Sequence, residues 1–128
     1  MKNTGGGVIV NVSSVSGVIA QKNICTYNTA KAAVIEMTKC MALDYAEFNI
    51  RVNCVSPGFV ITEHQYKFAK SSGKTMEELE AEWGPSHVLN RFAQPREIAR
   101  PILFLASDDD SSFITGENLM VDGGYTII

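Results

Sequence analysis

The sequence predicts an α/β fold built on a parallel sheet. Short β-branched runs alternate with stretches of helical periodicity. Glycine and proline stand at the junctions. The order strand, helix, strand, helix, strand within 128 residues is the pattern in which helices cover a parallel sheet.

Gly5-Gly6-Gly7 reads as a turn. Val8-Ile9-Val10-Asn11-Val12 follows, a β-branched run suited to a strand covered on both faces. Ser13 to Asn23 is loop-like, with Gly17 as a breaker. From about Thr26 to Phe48 the pattern is helical: Ala30, Ala33, Val34, Met37 and Met41 line one face. Ile35, Ala42 and Leu43 widen the apolar surface, so the helix is expected to be covered on two sides, by the sheet and by a partner. Ile50, Val52 and Val55 form a second strand, stopped by Pro57-Gly58. Residues 59–89 lack a strand pattern and suit two short helices near 63–70 and 75–83. A connection of this length in a compact domain is commonly a lid. A further helix starts at Pro95, a favoured first-turn position. Ile98, Ile102, Leu103 and Leu105 supply its apolar side, and it ends near Ser107. Pro101 within it is expected to kink it or to cost about 3 kcal/mol. Asn118 to Asp122 is the last strand, closed by Gly123-Gly124. Three strands are few, and an open sheet edge is expected.

Hydrophobic residues are 45% and charged residues 20%, which describes a chain able to bury a core. A net charge of −3 gives no reason to expect nucleic acid or an acidic membrane surface as partner. No apolar run approaches the roughly 20 residues that span a bilayer. Met1-Lys2-Asn3-Thr4 and the glycines lack the apolar stretch of a secretory signal, so a cytoplasmic location is expected. Cys25, Cys40 and Cys54 have no C-x-x-C spacing and read as free thiols. No metal site is expected.

Tyr27 and Lys31 are four apart near the start of the long helix. They share a face, about 6 Å apart along the axis. A tyrosine alone is a poor acid–base group near neutrality. A cation one turn away favours the phenolate, as does a helix N-terminus, and so makes a tyrosine usable for proton transfer. Ser14 sits just past the first strand, where α/β sheets place their ligand crevice. A hydroxyl there can hold a substrate oxygen whose charge changes in reaction.

Val8 to Ser14 followed by Tyr27-Asn28-Thr29-Ala30-Lys31-Ala32-Ala33 closely resembles the short-chain dehydrogenase/reductase pattern. So do Asn49 to Gly58, Arg91 to Ala99, Phe104 to Asp108, Phe113-Ile114-Thr115-Gly116 and Val121-Asp122-Gly123-Gly124, in family order and spacing. The likeness is to the branch of 3-oxoacyl-carrier-protein reductases and glucose dehydrogenases. The resemblance implies a partial, doubly wound Rossmann-like sheet. It also implies an NAD- or NADP-dependent oxidoreductase that interconverts an alcohol and a ketone or aldehyde. Tyr27 would be the general acid/base. Ser14 would orient the carbonyl, selected over Ser13 because the family's serine precedes its tyrosine by thirteen. Lys31 would also bond the nicotinamide ribose. Pro57, Gly58, Val60 and Thr62 would cradle the nicotinamide end, the Val60 backbone holding the carboxamide. Homo-oligomers, dimers or tetramers, are implied.

The family's glycine-rich fingerprint has no counterpart: Gly5-Gly6-Gly7 precedes a strand. Residues 1–128 are therefore expected to be the C-terminal catalytic half of such a domain, with 59–89 as its substrate lid. Three explanations fit: a fragment, a truncated gene, or association with a separate first half. The competing reading is an inactive truncated paralogue that acts as an oligomerisation module. Trp83, Tyr66 and Phe68 suit either a substrate pocket or anchors for the lid. His64 and His87 read as loop-surface residues, Cys25 as a small packed residue, and Asp108-Asp109-Asp110 as a solvated turn.

Overall fold

A computed structural model describes residues 1–128. Its elements, in chain order, are β1 (Gly7–Val12), α1 (Cys25–Tyr45), β2 (Ile50–Pro57), α2 (Glu63–Ser71), α3 (Met76–Trp83), α4 (Pro95–Ala106), α5 (Asp108–Ser111) and β3 (Asn118–Val121). The three strands form one parallel sheet in the order β1-β2-β3. Gly7 pairs with Ile50 through to Val12 with Val55, and Cys54 with Asn118 through to Pro57 with Val121. Both outer strands have an open edge, as the strand count led one to expect.

The central strand β2 is buried along nearly its whole length. Its polar side chains are buried because each finds a partner. Asn53 donates to Ile114 O (2.8 Å) and accepts from Glu117 N–H (3.0 Å), while Ser56 donates to Asn118 Oδ1 (2.6 Å). Arg51 anchors the strand's start. Its guanidinium donates to the carbonyls of Leu105, Ser107 and Ile114 and to Asp108 Oδ1 (2.8 Å).

Consecutive residues of a strand face opposite ways, and the core divides accordingly. Ile9 packs with Val52 and Ala42 beneath α1, whereas Val10 packs with Val55, Ile98 and Leu105 beneath α4. The sheet is therefore doubly wound. Both connections step the same way across the sheet but use opposite faces, so they are of opposite hand. One of them has the hand that strand–helix–strand units rarely adopt.

The face of α1 that meets the sheet is not the expected one. Ala30, Ala33 and Met37 are exposed, Val34 and Met41 are half-buried, and the buried residues are Thr38 and Ala42. An α1 that is apolar on two sides leaves periodicity unable to choose between them. Thr38 can face the sheet because its hydroxyl donates to Val34 O (2.8 Å) and accepts from Asn11 Nδ2 (2.9 Å). The other apolar side, with Leu43 81% exposed, is uncovered.

The two short helices form where expected. Thr62 caps α2 through Gln65 N–H, and Thr75 and Glu78 form a reciprocal capping box on α3. They enclose their own cluster of Ala69, Met76, Leu79 and Phe92, against which Phe59, Ile61 and Trp83 pack. A single parallel bridge, Val60 to Ala93, ties this unit to the start of α4. That helix runs through Pro101 unbroken, so one lost backbone bond is tolerated. Asp108–Asp110 are exposed after α4, as expected of a solvated turn, and the turn is a helical one, α5, capped by Ser107, where negative charge suits a helix start. No helix is long and apolar enough to cross a membrane.

Candidate active site

The site is built where β1 ends and α1 begins. Neighbouring serines take different parts. Ser13 is buried and donates to Lys31 O at 2.7 Å, which ties the strand end to the helix. Ser14 is half-buried, and its Oγ accepts Ser16 N–H at 3.1 Å. Because that oxygen is used as an acceptor, the Ser14 hydroxyl proton is left to donate elsewhere. The loop lies close on α1 because Gly17 has no side chain: a Cβ there would meet the Lys31 carbonyl at 2.8 Å. Close packing, more than chain breaking, is what this glycine provides.

Tyr27 is 47% exposed, and its hydroxyl takes no protein partner. The Lys31 ammonium lies 5.7 Å from the Tyr27 ring centroid and donates to Val12 O at 3.2 Å. Gly7 and Ser13 turn their N–H groups into β2, so alternation turns Val8, Val10 and Val12 toward the outer edge. Lys31 thus occupies one carbonyl of that open edge. Ser14, Tyr27 and Gly58 line one cleft of about 580 Å³, together with Gln21, Ile24, Phe59, His64, Phe68 and Trp83. Trp83 also packs on Phe59 at 5.2 Å, so it both lines the cleft and anchors α3. Tyr66 is exposed and does neither.

Pro57 ends β2 and is buried. Gly58 is tight for a protein-internal reason: a Cβ would meet His87 Nε2 at 2.8 Å and Asp122 O at 3.1 Å. Val60 bridges Ala93 through the flanking bonds Ile61 N–H to Ala93 O and Ala93 N–H to Phe59 O. The Val60 N–H and C=O point away from that bridge and take no protein partner. Thr62 is half-buried, and its hydroxyl oxygen accepts Gln65 N–H at 3.4 Å.

Two expectations are corrected here. His87 is buried and is not a surface residue. It sits 3.2 Å from Gly84 O through Nδ1 and accepts Phe59 N–H at Nε2, also 3.2 Å. Those partners require the neutral ring with its proton on Nδ1. The aromatic rings of Phe59, Phe92 and Tyr125 surround it, which makes this histidine a packing group behind Gly58. Cys25, expected as a packed residue, is exposed at the first turn of α1. The linkage of Ser16 Oγ to Gln21 Oε1 (2.6 Å) and of Gln21 Nε2 to Tyr125 OH (3.2 Å) has no signal in the sequence. It joins residues 104 apart. No group of three or more His, Cys, Asp or Glu gathers in a way that could hold a metal ion.

Residues 1–126 match the family model described as enoyl-(acyl carrier protein) reductase. The NAD-dependent glycerol dehydrogenase of Listeria innocua is 44% identical over 97% of this chain and 46% of its own length. The cyclohexanol dehydrogenase of an Acinetobacter species is 43% identical over 95% of this chain and 44% of its own. The solved structure of L-sorbose reductase from Gluconobacter frateurii, complexed with NADPH and L-sorbose, superposes with a TM-score of 0.91 at 32% identity. It covers 100% of this chain and 50% of that one. The chain spans about half the length of the relatives it matches. By the family match over residues 1–126, and by relatives above 40% identical along nearly all of its length, this chain belongs to the short-chain dehydrogenase/reductase family.

Proposed function

We propose that this chain is the catalytic half of an NAD- or NADP-dependent oxidoreductase that interconverts an alcohol and a ketone or aldehyde. The observation that carries the reading is the convergence of the Ser14 and Tyr27 hydroxyls on one cleft, with the Lys31 cation beside the tyrosine. The named relatives act on alcohols, sugars and polyols, and their names include NAD and NADPH.

The residues present fit the nicotinamide end of such a cofactor. The Val60 N–H and C=O are unpartnered, a donor and an acceptor suited to a carboxamide. Thr62 keeps a hydroxyl proton, Pro57 and Gly58 form the strand end beside the cleft, and Lys31 and Tyr27, one helical turn apart, would be the ribose partners. When bound, the dinucleotide supplies or accepts the hydride.

The chain's own residues do the rest. Ser14 donates its free hydroxyl proton to the substrate oxygen and holds it against Tyr27. Tyr27 Oη protonates that oxygen in the reductive direction and takes the proton back in oxidation. Lys31 stands one helical turn from Tyr27, with its ammonium steadied by Val12 O. The unit of α2 and α3, packed on its own cluster, serves as the substrate lid.

The test joins this chain to the dinucleotide-binding first half of a family member and replaces Tyr27 with Phe. Hydride transfer, followed by nicotinamide absorbance, is expected to fall by roughly 10²–10⁴ with the fold retained. Undiminished transfer removes Tyr27 from the reaction. A second reading, an inactive association module, is favoured by the uncovered apolar side of α1.

A further inference from the structure

The cleft is lopsided in a way that bears on its substrate. Past the Ser14 and Tyr27 hydroxyls, its large apolar lining residues are Ile24, Phe59, Phe68 and Trp83. The three rings are continuous: Trp83 lies 5.2 Å from Phe59 and 5.3 Å from Phe68, centroid to centroid. No Asp or Glu lines the cleft. A polyol or sugar carries a hydroxyl on nearly every carbon, and each one buried without a partner costs free energy. Sites for such molecules therefore gather carboxylates and amides. Here Gln21, the amide tied into the Ser14 loop, is engaged at both ends, by Ser16 Oγ at 2.6 Å and Tyr125 OH at 3.2 Å. Of the other polar lining groups, Lys22 and His64 are exposed and Gln65 is half-buried.

We infer that the site takes an apolar secondary alcohol or its ketone, with a ring or alkyl body laid against Ile24, Phe68 and Trp83, in preference to a polyol or sugar. This specificity rests on the proposed reaction for the placing of the oxygen at Ser14 and Tyr27. The rest follows from the lining. Burial of an apolar body against aromatic rings is favourable, and hydroxyls on the same body would lose water without replacement.

Trp83 is the only tryptophan, so its fluorescence reports occupancy directly. The intact chain is titrated with cyclohexanol and, separately, with D-arabinitol. Cyclohexanol is expected to give a saturable change, with D-arabinitol at least about tenfold weaker. Phe68→Ala is expected to weaken cyclohexanol about tenfold, and Phe68→Leu to restore it to within about threefold. Phe68 is 38% exposed, and circular dichroism checks that both variants fold. Equal or tighter binding of D-arabinitol overturns the inference. So does the absence of a saturable response to cyclohexanol, or an unchanged affinity in Phe68→Ala. The readout is occupancy and not hydride transfer. In the fusion to a dinucleotide-binding first half, cyclohexanol binding without turnover leaves the specificity standing and removes the reaction, whereas turnover with a preference for D-arabinitol does the reverse.

Discussion

Ser13 and Ser14 are alike in sequence and separated by one bond direction in the structure. The first spends its proton on Lys31 O, and the second keeps its proton by accepting Ser16 N–H. Only the second can serve a ligand. Charged residues divide in the same way, by which partner they reach. Arg91 meets Glu97 with two 2.7 Å bonds, and the Gln94 N–H adds a third donor at 2.8 Å. These partners lower the Glu97 carboxyl from its ordinary 4.5 to about 2, the Arg91 bonds contributing most. A lowered folded-state value means stability that is full above about pH 4.5 and is lost as pH falls toward 2. The melting temperature is therefore expected to drop between pH 5 and pH 2, and to drop less in Glu97→Gln. Thermal melts across that range check it, and equal slopes would remove Glu97 from the acid response. The pair is exposed, so the difference is expected to be small and to shrink with salt.

Among the elements, the unit formed by α2 and α3 was legible as two short helices, and the structure shows their starts capped by Thr62 and Thr75. What the unit encloses was not legible, since Ala69, Met76 and Leu79 meet Phe92 only through the tertiary path of the chain. Phe92 is 1% exposed and stacks on Phe59 at 5.2 Å. Phe92→Ala is expected to destabilise the protein by about 3–5 kcal/mol, from lost burial plus the cavity left behind. Tyr66→Ala, on the same unit but 56% exposed, is expected to cost under about 0.5 kcal/mol. Urea unfolding followed by Trp83 fluorescence measures both. Similar values for the two would mean that this cluster does not hold the unit. The same helices show why ring-bearing residues resisted assignment from sequence. Trp83, Phe68 and Tyr66 are equivalent as letters, but only the first two reach the cleft.

For the molecule as a whole, the sheet of three strands has two open edges and α1 has one uncovered apolar side. Ala30, Ala33, Met37 and Leu43 lie on the surface there. Exposed apolar side chains on an uncovered helix are candidates for association. The intact chain at micromolar concentration is expected to sediment as a dimer or larger species, and Met37→Glu to sediment as a monomer. Met37 is 45% exposed, so this change tests the surface without disturbing the core. A monomeric wild type would leave the association reading without support. Binding of NADH or NADPH by the same chain would favour the enzyme over the module.

The sequence by itself determined the order of strands and long helices and the parallel sheet, and it pointed to Ser14, Tyr27 and Gly58, which line one cleft. Those features rest on local patterning: β-branched runs, capping residues, turn glycines, and a Tyr-x-x-x-Lys spacing that one helical turn brings together. Tertiary structure decided which side of α1 meets the sheet, because both sides are apolar and the seated one is selected by long-range contacts such as the Thr38–Asn11 bond, the Ser13–Lys31 bond and the packing of Ala42. It also decided that His87 is buried behind Gly58, that Gln21 bonds Ser16 and Tyr125, and that aromatic rings line the cleft with Ser14 and Tyr27. Each of these depends on contacts between residues far apart in the chain, and no periodicity of two or of 3.6 residues encodes such contacts.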